Sequence, residues 1–231
     1  MKFFFLLFYY FIEDFFHIKR IRRFLKKNVY LRRPIIFDIG AHKGKMVKFF
    51  FQIYGNAKIY CFEPNRSFVP SLSNIKKKNL FVCNYAVGDK NQKKRIIINE
   101  IDLTTSLTKL NENSFYLKIK KFIIRNKRKD IYQNVNVTTL DNFCKKKKIK
   151  KIDLIKIDCE GYENKVLNGA KRIIKKTKYL IIEIQKNDMY EDYSKDKIEI
   201  FLKKNNFILL KKFNFPLMFF QDRIYKNTKF N

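Results

Sequence analysis

The chain has 231 residues, 46% hydrophobic and 16% aromatic, which excludes a disordered tail, and its 6 Gly and 4 Pro exclude collagen-like or turn-dominated architectures. Its 52 Lys+Arg against 21 Asp+Glu give a formal charge of +31, a balance that points to nucleic acid or anionic membrane only when it is concentrated in a patch, and here the lysines are dispersed along the chain. Four cysteines without C-x-x-C spacing (Cys61, Cys83, Cys144 and Cys159) read as reduced core thiols of a cytosolic protein, and with only His17 and His42 as histidines no metal site is expected.

Residues 1–30 read as an aromatic, then basic, helical extension. Phe15, Phe16, Ile18, Ile21, Phe24 and Leu25 fall roughly on one face, with Lys19, Arg20, Arg22, Arg23, Lys26 and Lys27 largely elsewhere. The run Phe3–Ile12 is about half the roughly 20 residues that a spanning helix needs, and Glu13 and Asp14 end it. No small-residue cleavage site follows, so a secretory signal is not expected. Two uses of the extension stand side by side: packing its aromatics on the domain, or peripheral contact of residues 1–28 with the anionic inner surface of the membrane. The expected location is cytoplasmic in either case.

Residues 31–231 read as one domain. After Pro34 come a strand at Ile35–Ile39, a helix at Lys45–Tyr54 closed by Gly55 and a strand at Lys58–Phe62, which is a βαβ unit. Further buried strands are expected at Leu80–Tyr85, Leu154–Ile157 and Tyr179–Ile184, and runs this continuously apolar suit a parallel sheet covered on both faces. An insertion at about 90–140 carries a strand at Arg95–Asn99, a basic stretch at Ser114–Lys129 and a strand at Asn136–Leu140, ahead of a short helix from Asp141 whose end, Lys145–Lys148, is solvated. Helices at Tyr162–Lys176 and Asp192–Asn205 and closing strands at Phe207–Lys212 and Asp222–Lys226 put an antiparallel end on the sheet.

The strand ends carry the chemistry. The first runs into Asp38-Ile39-Gly40-Ala41-His42-Lys43-Gly44. A dinucleotide fingerprint needs glycine at position 42 and a phosphate loop needs G-x-x-x-x-G-K-[ST], and neither fits. An acidic strand end beside a G-x-x-x-G turn suits a ligand with an amine and a ribose but no pyrophosphate, namely S-adenosylmethionine. The second strand ends Cys61-Phe62-Glu63-Pro64-Asn65 and sets a carboxylate beside the first, able to take both ribose hydroxyls; the third leads to Asn84-Tyr85-Ala86-Val87-Gly88, whose small and apolar residues could flank adenine. The cofactor-binding candidates are thus Asp38, Gly40, Ala41, His42 through its backbone, Gly44, Glu63, Asn65, Ala86 and Val87. In the fourth, Lys156-Ile157-Asp158-Cys159-Glu160-Gly161-Tyr162-Glu163, the carboxylates Asp158 and Glu160 share parity at the end of a buried strand and face a cleft.

The blocks at Asp38–Gly44, Phe62–Pro64, Asn84–Gly88, Thr105-Ser106-Leu107, Thr139-Leu140-Asp141 and Lys156–Glu163 occur in the order seen in the FkbM-type methyltransferase family, which the chain resembles from about Ile35 to Ile184 and, more loosely, to the C-terminus. The resemblance implies an α/β fold with a Rossmann-like class I methyltransferase sheet, mostly parallel with an antiparallel C-terminal strand and helices on both faces. It also implies S-adenosylmethionine as methyl donor and methylation of a hydroxyl on a sugar, a glycan or a small metabolite. Position 42, often Asn in the family pattern, is His here, and residues 1–30 lie outside the resemblance. Asp158 and Glu160 are candidates for the base that removes the acceptor proton, the competing role being to hold the methionine amine. The alternatives are methylation of RNA and a non-catalytic basic RNA-binding or scaffold protein; nucleic acid is not the expected partner, because no RNA module and no concentrated basic surface interleaved with aromatics is visible.

Overall fold

The computed structural model of the chain describes residues 16–98, 107–118, 131–215 and 220–230. The Phe3–Ile12 run, Thr105-Ser106 and most of the Ser114–Lys129 stretch lie outside these residues. Among the described residues there are ten strands: β1 (Ile35–Ile39), β2 (Lys58–Phe62), β3 (Leu80–Cys83), β4 (Ala86–Val87), β5 (Gln92–Ile98), β6 (Ile131–Thr138), β7 (Ile152–Ile157), β8 (Thr177–Gln185), β9 (Phe207–Asn214) and β10 (Phe220–Asn227). Seven form one sheet in the order β3-β2-β1-β7-β8-β10-β9. Its strands from β3 through β8 pair in parallel, and β10 runs antiparallel between β8 and β9. The remaining three, β4-β6-β5, make a small second sheet; β5 and β6 lie in the stretch read as an insertion and β4 just before it.

The helices among the described residues are α1 (Ile18–Asn28), α2 (Lys45–Ile53), α3 (Val69–Ser73), α4 (Leu140–Lys146), α5 (Glu163–Asn168) and α6 (Lys195–Lys204). Strand parity sorts the core into two layers. Phe37, Ile39, Ile155, Ile157, Leu180 and Ile182 pack with Leu140 and Phe143 of α4, Val166 and Leu167 of α5, and Ile198 and Leu202 of α6. Ile36, Ile59, Leu154, Ile181 and Ile224 pack on the other face with Val47 and Phe50 of α2 and with Ile21 and Leu25 of α1. The extension is therefore built into the core along its described helix, while Lys19, Arg20, Arg23, Lys26 and Lys27 stay exposed.

The helix expected over Tyr162–Lys176 is broken in two. α5 ends at Asn168 because Gly169 passes against the second sheet, where a Cβ would lie 1.9 Å from the carbonyl oxygen of Gly88. The chain restarts as a 3-10 turn at Ile173–Lys176, whose leading N–H groups, those of Arg172 and Ile173, donate to the carboxylate of Asp141 at 3.0 and 2.8 Å. Thr139, two residues earlier, caps α4 by accepting from the N–H of Asn142 at 3.1 Å. The Thr-Leu-Asp block thus starts one helix and anchors another.

Candidate active site at the carboxyl edge of the sheet

The carboxyl ends of β1, β2 and β7 meet at one edge. The N–H groups of Gly40 and Ala41 both donate to the Phe62 carbonyl, at 3.0 and 3.1 Å, and the Asp158 N–H donates to the Ile39 carbonyl at 3.0 Å. Gly40 has φ +84°, and a Cβ there would stand 1.8 Å from the Asp158 carbonyl oxygen. A left-handed turn at this distance from another main chain admits only glycine. Gly44 begins α2 and packs on Ile75 and Leu72. Contacts within the protein thus account for both glycines, beyond any approach to a ligand.

Asp38 is 1% exposed, and neither of its carboxylate oxygens has a hydrogen-bond partner. Burial pushes its carboxyl up to about 7, with Lys156 pulling the other way and Asp158 adding to the rise. Glu63 is buried beside it and is partly engaged: Oε2 accepts the N–H of His42 and Oε1 the N–H of Asn65, each at 2.8 Å. Burial lifts Glu63 to about 7 against those two bonds. A carboxylate has about four acceptor positions, so each oxygen keeps capacity for one more donor. The His42 N–H is committed to Glu63 and its ring packs edge-on to Phe68 at 4.1 Å. The Asn65 side chain accepts from the N–H and hydroxyl of Ser67, and its buried amide nitrogen has no partner. Ala41 is buried at the same turn. Ala86 and Val87 sit in β4, both buried, Ala86 in an apolar cluster with Ile96, Val135 and Val137 and Val87 in one with Ile39 and Phe62.

Asp158 and Glu160 are brought together with Glu183, which the sequence reading did not select; one oxygen from each lies within 4.8 Å of the others. Glu160 takes φ +49° in the turn after β7 and accepts a hydrogen bond from the Tyr190 hydroxyl, whose ring lies against Gly161. Asp158 accepts from the ammonium of Lys156 at 2.7 Å. Lys156 is 3% exposed. Burial works against its charge, yet Asp158, Asp222, Glu183 and Asp38 together hold it protonated well above the usual lysine range. Glu183 is raised well above the carboxylate range by burial, then by Asp158, Glu160 and Asp222. Glu163, also buried, accepts from the N–H groups of Cys159 and Gly161 and is pushed up to about 8 by burial. It shapes the turn that presents Glu160. The signal for Lys156 and Glu183 is available in the sequence: each is the charged residue in an apolar run, Leu154–Ile157 or Tyr179–Ile184, on the parity of Asp38.

This edge fits a cofactor bearing a cation and a ribose. Asp38 is a buried carboxylate without a donor, and Glu63 lies one strand away with acceptor capacity left. The acidic trio could share a proton or hold a hard cation, and the Lys156 ammonium already supplies positive charge there.

A family model described as the methyltransferase FkbM domain matches residues 38–209. The 2-O-methyltransferase NoeI of Sinorhizobium fredii is 27% identical over 171 residues, covering 68% of this chain and 66% of that protein, so the match spans just under two thirds of its length. Among solved structures, the fold is similar to Aeropyrum pernix fibrillarin with bound S-adenosyl-L-methionine (TM-score 0.50, 12% identity, 90% of this chain and 74% of that one). It is also similar to an rRNA methylase from Streptococcus thermophilus (TM-score 0.51, 14% identity, 91% and 96%). At these identities the structural likeness is one of fold.

Proposed function

The chain belongs to the FkbM methyltransferase domain family, whose methyl donor is S-adenosylmethionine, and from that premise we propose that it methylates a hydroxyl oxygen of a sugar, a glycan or another small metabolite. The cofactor, when bound, supplies the activated methyl and its leaving group. The protein's own residues place it and manage one proton. Asp38 takes the ammonium of the methionine part, which gives its buried carboxylate the cation it lacks, and Glu63 takes the ribose hydroxyls on its remaining lone pairs. Asp158 and Glu160 line the acceptor side. A carboxylate tied to an ammonium is the poorer base, so Asp158, held by Lys156, orients the acceptor, and Glu160, presented by the turn after β7 and fixed by the Tyr190 hydroxyl, removes the proton. Glu183 lets the trio share that proton afterwards.

The observation that carries this reading is the unpartnered, buried Asp38 one strand from the acidic trio. The same acidity supports the acceptor class. A site walled by Asp158, Glu160 and Glu183 favours a neutral or cationic polyol and repels phosphodiesters, whatever the net charge elsewhere. The 2-O-methyltransferase activity named for NoeI agrees with a hydroxyl acceptor. RNA is the second reading, favoured by the +31 charge. The test supplies the purified protein with radiolabelled S-adenosylmethionine and, separately, total RNA and the oligosaccharide fraction of its own cells. It is paired with mass spectrometry of surface polysaccharide and metabolites from deletion and wild-type cells. Label in a saccharide or metabolite and loss of one methylene increment in the deletion strain are expected; label in RNA alone would replace this reading with the second.

A further inference from the structure

His17 lies just ahead of α1, outside the residues that match the family, and so does Asp222 on β10. The two are joined at 2.8 Å, His17 Nε2 to Asp222 Oδ2, in a place where His17 is 1% exposed. The imidazole is set edge-on to Phe215 and to Phe220, each at 5.7 Å between ring centroids, so its position is determined by packing as well as by the bond. β10 runs antiparallel, which brings its first residues to the edge where the parallel strands end. There Asp222 pairs across the sheet with Glu183, and Lys156 pairs with Asp38 on the other side. By parity all four face α1 and α2.

We propose that His17 is a positioning residue for methyl transfer: by holding Asp222 it leaves the Lys156 ammonium on Asp158. The inference rests on the reading of Asp158 as part of the reaction site. One ammonium faces four carboxylates, Asp38, Asp158, Glu183 and Asp222. An ammonium shared among buried anions goes to whichever is least satisfied. Asp222 has one oxygen on His17 and the other without a hydrogen-bond partner, so without His17 it would be a buried anion with no bonded donor and would compete for Lys156. The groups facing Asp222 are His17 from the lead-in to α1, Lys156 from β7 and Glu183 from β8; its β9 neighbour, Phe213, carries no charge. With Lys156 drawn away, Asp158 loses the ammonium that donates to it, and Glu160 and Glu183 beside it lose a neighbouring positive charge. An element outside the matched family region thereby tunes the site.

The experiment uses the full chain and four variants, His17→Phe, His17→Gln, the double variant His17→Phe with Asp222→Asn, and Asp158→Asn. Melting temperature, KM for S-adenosylmethionine, and kcat against pH are recorded for each. His17→Phe is expected to lower kcat about tenfold, with a smaller change in KM, and to move the acid limb of the profile to higher pH. Removing the competing charge in the double variant is expected to restore kcat to within about threefold of wild type, and His17→Gln, which keeps an N–H donor, to restore most of it. A kcat and profile unchanged in His17→Phe, or a double variant no faster than the single one, overturns the inference. If the phenylalanine variant does not fold, His17→Leu takes its place: it also removes the donor to Asp222, the same loss of kcat and shift of the acid limb are expected, and an unchanged kcat and limb overturn the inference. Full activity in Asp158→Asn would instead refute the reading of the reaction site, so the two failures are told apart.

Discussion

Asp38 is a carboxylate in a place that water does not reach, with no donor of its own. Burial lifts its pKa from 3.8 in the open chain to about 7 in the fold. The fold therefore prefers the protonated form, and the stability linked to this group is fully present below pH 3.8 and lost as pH rises through about 7. Glu63 and Glu163, raised from 4.5 to about 7 and about 8, act with the same sign. The cofactor-free protein should melt at progressively lower temperature across this window, and S-adenosylmethionine should stabilise it more at the alkaline end, where its ammonium meets an ionised Asp38. In Asp38→Asn the slope should flatten and calorimetric affinity for the cofactor should fall by about tenfold or more. Wild-type slope and affinity in that variant would remove Asp38 from the site. For the acid pair, Glu160→Gln should lower kcat by about 100-fold or more, the usual worth of a general base, with cofactor affinity nearly unchanged by calorimetry. Asp158→Asn should lower both.

Elements here are held by contacts that their own sequences do not contain. α1 has an apolar face narrow enough to be read either as a membrane-surface helix or as a packed one, and Ile21 and Leu25 lie within the core with Ile36 and Phe50. Leu25→Ala should cost about 2–5 kcal/mol in denaturant unfolding, the loss typical of a buried leucine. A change near zero would mean that α1 contributes nothing to the domain. The break between α5 and the 3-10 turn gives a second measurement. Asp141→Ala removes the acceptor of two N–H groups and should destabilise by about 1–2 kcal/mol, whereas Asp141→Asn, which keeps one acceptor oxygen, should lose less. The helical spacing of Val166, Leu167, Ala170, Ile173 and Ile174 is real, which is why the sequence suggests one helix. Gly169 and Asp141 decide otherwise, one through a close approach to Gly88 and the other as a cap from a different segment.

At the scale of the whole molecule, a strongly basic chain encloses an acidic site. Lysines at the helix ends and on the surface leave the interior edge to Asp38, Glu63, Asp158, Glu160 and Glu183, with Lys156 among them. Because that ammonium already sits 2.7 Å from Asp158, a divalent cation on the trio would meet like charge. Dialysis against a chelator should therefore leave methyl transfer unchanged, and activity that falls on chelation and returns with magnesium would show that the trio holds a metal. No helix among the described residues is long and apolar enough to cross a membrane. Peripheral attachment is a separate matter, tested by sedimenting the intact chain with anionic vesicles at about 0.15 M salt and again after deletion of residues 1–28.

The sequence alone determined the sheet and the strand ends that carry its acidic residues. Period-2 parity in continuously apolar runs is a local property, and it survives intact into β1, β2, β7 and β8, so the sequence suffices to place Asp38, Glu63 and Asp158 at one edge. The strand expected at Asn136–Leu140 lies at Ile131–Thr138, because an exposed strand of the small sheet has little apolar pattern to mark its ends. What only the tertiary structure decided was which charges meet. Lys156, Glu183, Asp222 and His17 come from four separate segments, and their neutralisation of one another depends on strand order, on the antiparallel return of β10 and on α1 docking. Electrostatic partnership falls off with distance in space, whereas a sequence records only distance along the chain.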